Sequence, residues 1–404
     1  MGYQQGLSGL SASASDLDVI GNNIANANTV GFKQGNAQFA DMYANSLATA
    51  VNNQIGIGTM QSEVQQDFSQ GSINSTGQAL NVAINGNGFY QMSNNGATTY
   101  SRNGVFHLTS DGNIVNAQGL KLMGYAADPS GVVNTASTVP LTIPTTNISP
   151  KATTSVAAQL NLDSQATPPS DPTFSPTDSN TYNFSTSVQT YDSLGGTEQL
   201  NMYFVKSPTS GTWNVYAGPN GGATSNLGTM TFNSAGTLTN PANGQFAFSM
   251  PTADGSTTPE PITLNFSGTT QYGGASGINN LKPDGYAAGQ LSNFSIGQDG
   301  TITGNYSNGQ TTALGQIVLA NFNNPNGLLN LGGNEFQQTA ASGTAQVSAP
   351  GATNHGTLTG GAVEESNVDL TNQLVNLITA QRNYQANAQT IKTQQTVDQT
   401  LLQL

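Results

Sequence analysis

Apolar residues recur every seven positions at both ends of the chain and in short alternating runs through its middle. Near the start, Leu10, Leu17 and Ile24 fall seven apart, and Leu7, Ala14 and Gly21 fill the second heptad position. That spacing predicts a helix over residues 1–30 with a narrow seam lined partly by small side chains. Residues 362–404 contain neither Gly nor Pro, and Val363, Leu370, Leu377, Tyr384 and Ile391 again repeat every seven, with Leu374, Ala388 and Leu402 alongside. A helix over the whole stretch would be about 60 Å long. Glu364, Glu365 and Asp369 suit the positive end of its dipole, and Ser366 is the expected cap. Two such seams can pair with each other, or each can pack on a nearby core. Polar breaks at Gln381, Gln395 and Asp398 favour a pairing completed by neighbouring copies. Isolated helices of this kind are marginal in water, so both ends are expected to order only when covered.

Between the ends the pattern turns to β. From Ala79 to Tyr125 the dipeptides Asn85-Gly86, Asn95-Gly96, Asn103-Gly104, Asp111-Gly112 and Gln118-Gly119 arrive at near-regular intervals. Alternating segments between them predict an antiparallel meander. A related texture returns after residue 285, with Asp299-Gly300, Asn308-Gly309 and the apolar run Ile317–Ala320. Residues 145–284 hold most of the prolines, the single Trp213 and aromatic strands such as 200–205 and 245–248. The predicted fold is mainly β with α-helical termini: nested β domains plus a terminal two-helix coiled-coil domain. Its expected parts are 1–33 with 362–404 (helical), 34–70 with 345–361 (connecting), 71–144 with 285–344 (middle β) and 145–284 (an inserted outer β domain).

Composition narrows the function. Only 7% of the 404 residues are charged, against roughly 25% in a typical domain. The chain carries a net charge of −13 with just eight Lys and Arg, too few for a basic stripe, which argues against nucleic acid and anionic membrane surfaces. No apolar run approaches the roughly 20 residues of a membrane helix, so no membrane insertion is expected. The first residues contain neither a positive segment nor a continuous apolar core, so a cleaved secretory signal is not expected. Without Cys, disulfides and Cys-based metal sites are excluded.

Candidate chemistry is sparse. His107 and His355 are the only histidines, and no HExxH, GxSxG or GxxxxGK[ST] motif occurs. Gly86-Asn87-Gly88 resembles the start of a dinucleotide fingerprint, but Gln91 replaces the third Gly, and a hairpin turn is the better reading. Neither catalytic residues, cofactor-binding residues nor a metal site are expected. A secreted β-rich adhesin would share the composition but not the two heptad seams.

One motif stands out: Asn22-Asn23-Ile24-Ala25-Asn26-Ala27-Asn28-Thr29-Val30-Gly31-Phe32-Lys33. Physically it reads as a helix end, where Asn28 and Thr29 compete with the backbone, Gly31 permits positive φ and Phe32 anchors the exit. It also closely resembles the signature of the bacterial flagellar axial rod/hook family. So do Leu80–Ile84 with Gly88-Phe89-Tyr90, Tyr100–Gly104, and Gly112–Asn116 with Gly119. At the far end, Glu365–Leu370 and the run Ala380-Gln381-Arg382-Asn383-Tyr384-Gln385-Ala386-Asn387-Ala388 are similar to the family's terminal helix. These stretches lie in the first 125 and last 45 residues.

Length and the large insertion match the hook-forming members rather than the shorter rod members, with the distal rod protein as the alternative. The resemblance implies a non-enzymatic subunit of an extracellular flagellar tube, which polymerises with itself through Leu7, Leu10, Leu17, Ile24, Leu370, Leu374, Leu377, Tyr384 and Ile391. It further implies as partners a hook cap protein, distal rod and hook-filament junction proteins, and the flagellar type III export apparatus.

Overall fold

The computed structural model describes residues 2–42, 56–252 and 255–402. Positions 43–55 of the expected connecting stretch lie outside the described residues, as does the side chain of Leu402. The described chain is mainly β with one long helix at each end. It divides into two compact units, one of Met1–Thr145, Asn293–Asn305 and Thr311–Leu404, the other of Thr146–Ser292 and Tyr306–Gln310. No helix among the described residues is long and apolar enough to cross a membrane.

The first unit begins with α1 (Gly2–Ala25). Strands β1 (Gly35–Met42) and β2 (Gly58–Gln66) then pair antiparallel, with a bulge between Gln38 and Phe39. They lie along one flank of α1, where Gln5 Nε2 donates to Gly56 O at 2.6 Å and Thr59 N donates to Ser8 Oγ at 3.3 Å. Strands β3 (Ile73–Ser75) and β4 (Val82–Asn85) each pair with a segment close to the C-terminal helix: Ala362–Glu364 with β3, and Thr357–Gly360 with β4.

Strands β5 (Phe89–Asn94) and β6 (Ala97–Ser101) follow as a hairpin. Its two turn residues, Asn95 and Gly96, both have positive φ (47° and 99°). Left-handed backbone at both central positions suits the twist of the flanking strands, which is why Asn-Gly marks this turn. Asn103-Gly104 is different: it forms no hairpin turn, and a Cβ at Gly104 would collide with the Val82 carbonyl. Its glycine serves a close backbone approach, not a reversal.

The sheet continues in spatial order from Thr311–Ile317 through Lys121–Ala126, β5, β6 and Glu335–Gln337 to Leu329–Gly332. One face buries Phe89, Tyr100, Phe322 and Phe336 with Phe68 packed against them. The rings meet edge-on, with Tyr100 and Phe322 centroids 4.8 Å apart and Phe68 and Phe89 5.4 Å apart. That geometry places positive ring edges on negative ring faces.

The second unit is a β-sandwich. A five-stranded antiparallel sheet runs Phe184–Tyr191, Thr197–Lys206, Thr212–Pro219, Ser225–Phe232 and Leu238–Asn240. A four-stranded sheet runs Gln245–Met250, Glu260–Asn265, Ser155–Asn161 and Gly277–Pro283, with one parallel pairing between Ser155–Asn161 and Glu260–Asn265. Strict alternation of burial along Gln245–Met250 sends Phe246, Phe248 and Met250 inward. They share one core with Leu200, Phe204, Trp213 and Phe266. Trp213 is fully buried, and Lys206 covers its ring at 4.9 Å.

The C-terminal helix α2 spans Leu370–Leu402, 33 residues and about 50 Å long. It starts at Leu370, not at 362 as the apolar repeat predicts. Val363 lies instead in a buried strand. Asp369, not Ser366, caps the helix, accepting from Thr371 N at 2.9 Å and Asn372 N at 3.2 Å. Ser366 Oγ accepts from Val368 N outside the helix. Removing the cap in Asp369→Ala should cost about 1 kcal/mol. Faster amide hydrogen exchange at Thr371 and Asn372 would report it, and unchanged exchange would rule the cap out.

Candidate assembly site: the paired terminal helices and the junction at their base

The two helices run antiparallel along each other. A Cβ on Gly6 would lie 2.9 Å from Ile391 Cγ1, and one on Gly9 would lie 2.8 Å from Asn387 Oδ1. Farther along, Asn387 Nδ2 donates to Ser13 Oγ at 3.4 Å. At the other end, Asn23 Nδ2 lies 3.5 Å from Gln373 Oε1. The absence of side chains at Gly6 and Gly9 lets the backbones come close, as small residues do at tight helix crossings.

The contact line on α1 therefore follows Gly6, Gly9, Ser13, Ile20 and Asn23. Gly6, Ile20 and Asn23 are buried there, and Gln373 and Ala380 are buried on α2. It has heptad spacing but is displaced by one residue from the apolar series. Leu7 is 52% exposed, while Leu10, Leu17 and Ile24 are half-buried. On α2, Leu377 and Ile391 are half-buried, whereas Leu370, Leu374 and Tyr384 are exposed, as are Gln381, Arg382, Asn383, Gln395 and Asp398. Small and polar groups, together with Ile20 and Ile391, make the contact within the chain, and most of the other large apolar groups are left beside it.

The motif at the end of α1 builds the junction. The helix ends at Ala25, and a turn carries the chain on through Asn26, whose Nδ2 donates back to Asn22 O and whose Oδ1 accepts from Thr29 Oγ1. Buried Asn23 closes a ring with Gly35, donating to its O at 2.8 Å and accepting from its N at 2.9 Å. Gly31 has φ of 71°, and a Cβ there would press on the Asn103 backbone at 2.8 Å. Its N–H donates to Glu364 O at 2.8 Å. Phe32 is half-buried beside it.

Lys33 then turns fully inward. Its Nζ donates to Glu364 Oε1 at 2.7 Å and to Ser69 O at 2.6 Å. Arg102 Nε donates to the other carboxylate oxygen at 2.7 Å, and its two terminal nitrogens donate to Gly88 O and Gly86 O at 2.6 Å each. Gly71 N adds a third donor to the Glu364 carboxylate, at 3.0 Å. The side chains of Lys33, Arg102 and Glu364 are 0%, 4% and 1% exposed.

Burial alone would raise the Glu364 carboxyl, but Arg102 and Lys33 beside it hold it below the usual carboxylate range. Burial lowers the Lys33 ammonium, against the pull of Glu364. One anion thus ties together the exit of α1, the turn after β4, the end of β6 and the segment leading into α2. Buried charges persist only when each is paired and hydrogen-bonded, and every member here is.

The Glu364 expected at a helix dipole is therefore the centre of a buried ion triad. The Gly86-Asn87-Gly88 turn supplies carbonyls to Arg102. Among the described residues no three His, Asp or Glu side chains gather as a metal site. His107 stands exposed in a short strand, and His355 bonds Ser348 and Gln346.

Known protein families match along most of the chain. Residues 4–33 match the Flagella basal body rod protein family, and 83–159 match the Flagellar hook protein FlgE/F/G D1 domain. Residues 161–286 match the Flagellar basal body protein FlaE D2 domain, and 359–404 match the Flagellar basal body rod FlgEFG protein C-terminal family. The chain is 43% identical to the flagellar hook protein FlgE of Salmonella typhimurium and 44% identical to that of Escherichia coli strain K12, over the whole of each chain. The crystal structure of the Helicobacter pylori flagellar hook protein FlgE2 shares the fold at a TM-score of 0.53 and 14% identity, covering 72% of this chain and all of that one. With the helix pair, the junction motif and these relatives in agreement, the chain belongs to the flagellar hook protein family.

Proposed function

We propose that this chain is the structural subunit of the bacterial flagellar hook, polymerising through α1 and α2 into a flexible hollow tube that passes motor torque to the filament. One observation carries the reading. A long antiparallel helix pair uses mostly small and polar groups, with Ile20 and Ile391, for its own contact and leaves Leu7, Leu370, Leu374, Val375, Ile378 and Leu401 exposed. Exposed apolar side chains in series along two paired helices mark an interaction surface, and copies of the same pair are the natural cover. A repeated contact between different faces builds an open helical polymer when the rotation between successive copies does not close a ring.

In this reading residues 1–33 and 362–404 form the inner tube, and 34–70 with 345–361 connect it to the rest. Residues 71–144 with 285–344 form a middle layer, and 145–284 form the outer one. The chain acts without catalysis. Its partners are further copies, a hook cap protein, the distal rod and hook-filament junction proteins, and the type III apparatus that exports it.

Electron microscopy of the polymer grown from the purified chain tests this. A curved hollow tube with both termini lining the channel is expected. A short straight rod would favour a distal rod protein instead, and no tube would overturn the reading.

A further inference from the structure

The whole chain has only eight basic residues. Lys33 and Arg102 are consumed by the buried triad, yet Arg382 and Lys392 stand exposed on α2. α1, in contrast, contains Asp16 and Asp18 and no basic residue. Among the described residues neither Asp18 nor Arg382 forms a salt bridge within the chain.

Their positions are related. Asp18 lies two residues beyond Asp16, which lines the cleft between the helices, and Arg382 lies two residues beyond buried Ala380. Two residues of helix are about 200° of rotation, so each charge faces away from the other helix, Asp18 at the rim of the groove between α1 and β2 that Val64 and Gln66 also line. The pairings Gly6 with Ile391, Gly9 with Asn387 and Asn23 with Gln373 fix the heights. They set Asp18 level with Ile378, one helical turn or ~6 Å along the axis from Arg382.

The two-helix ribbon thus has an acid on one outer face and a base on the opposite outer face at nearly the same height. Exposed Leu7 lies on the α1 side, and exposed Val375 and Ile378 lie on the α2 side.

Resting on the assembly reading above, we propose that the occupant of the outer face of α1 is the outer face of α2 from a second copy, with Asp18 of one copy paired to Arg382 of the next. Sideways translation of the ribbon brings the two faces together with opposite charges aligned. Ile378 and Val375, one and two turns from Arg382 on the α2 face, would cover part of the pair, which strengthens its attraction and sets axial register. Because the two faces differ, the contact is head-to-tail and can repeat from copy to copy.

Charge reversal in the whole chain tests this by the protein concentration needed for polymerisation. Asp18→Arg and Arg382→Asp should each raise it by about tenfold or more, and the combined variant should return to within about threefold of the parent. Higher salt should weaken the parent more than Asp18→Ala/Arg382→Ala. Far-UV circular dichroism confirms folding of each variant, both positions being exposed. Single reversals that polymerise like the parent, or a combined variant no better than the worse single, would overturn the pairing. The same assay on Leu374→Asp separates the two ideas. If Leu374→Asp is blocked while the charge variants behave as the parent, only the pairing falls. If Leu374→Asp also polymerises normally, the terminal-helix reading falls with it.

Discussion

Glu364→Gln should destabilise the base of the helix pair by about 3–5 kcal/mol, the usual cost of stranding buried charge. The glutamine side chain has nearly the same shape, so packing is little changed. It cannot neutralise Lys33 and Arg102, which are 0% and 4% exposed and, among the described residues, have no other acid at hydrogen-bonding distance. The loss should appear in urea unfolding and as faster amide exchange around Gly31 and Gly71, with the sandwich unit unaffected. A shift below 1 kcal/mol would mean that the triad contributes little.

Acid should act at the same place. Glu364 titrates below its ordinary value in the folded chain. The stability it confers is therefore present above the unfolded carboxylate value of about 4.3 and is lost as pH falls through the lower folded value. Glu364→Gln should remove that acid step. Burial lowers the Lys33 ammonium against the pull of Glu364, so its titration is displaced in the same direction as that of Glu364 but by desolvation of a cation.

Leu374→Asp should leave the single chain folded and stop the polymer. Leu374 is 45% exposed on α2, so the substitution costs the monomer no more than about 0.5 kcal/mol. In an interface between copies the same carboxylate would be buried without a partner. A penalty of about 2–3 kcal/mol per contact is expected, roughly a hundredfold in the concentration needed to assemble. Sedimentation would show wild-type chain pelleting and the variant remaining in the supernatant, with identical β-rich circular dichroism. Normal tubes from this variant would exclude α2 as the polymerising surface.

Much of the fold can be read directly from residue order. Asn95-Gly96 marks its hairpin because few residues tolerate two successive left-handed conformations, and the alternation at 245–250 marks a sandwich strand because one face must be dry. The helix pair is only half legible. Heptad spacing marks both helices, but of the α1 residues in the intrachain contact only Ile20 carries a hydrophobic signal, while Gly6, Gly9, Ser13 and Asn23 carry none. The apolar series sits one position over.

The triad is not legible at all. Lys33, Arg102 and Glu364 lie in three segments with no shared period, and a carboxylate shortly before a helix is indistinguishable in sequence from one that serves the dipole. The only local hint is Gly31, two residues before Lys33, where a positive φ points to a close backbone approach.

The triad also makes order of arrival matter. Its cations come from residues 33 and 102 and its anion from residue 364. A chain delivered from its first residue onward carries two unmatched positive groups until nine-tenths of it has emerged. Burying them before then would strand both, so the base of α1 stays open to solvent through most of delivery. Any product truncated ahead of residue 364 lacks the acid permanently and cannot seat its first helix. The junction and the helix pair therefore depend on the same C-terminal segment, since a chain ending before Glu364 lacks α2 as well as the acid.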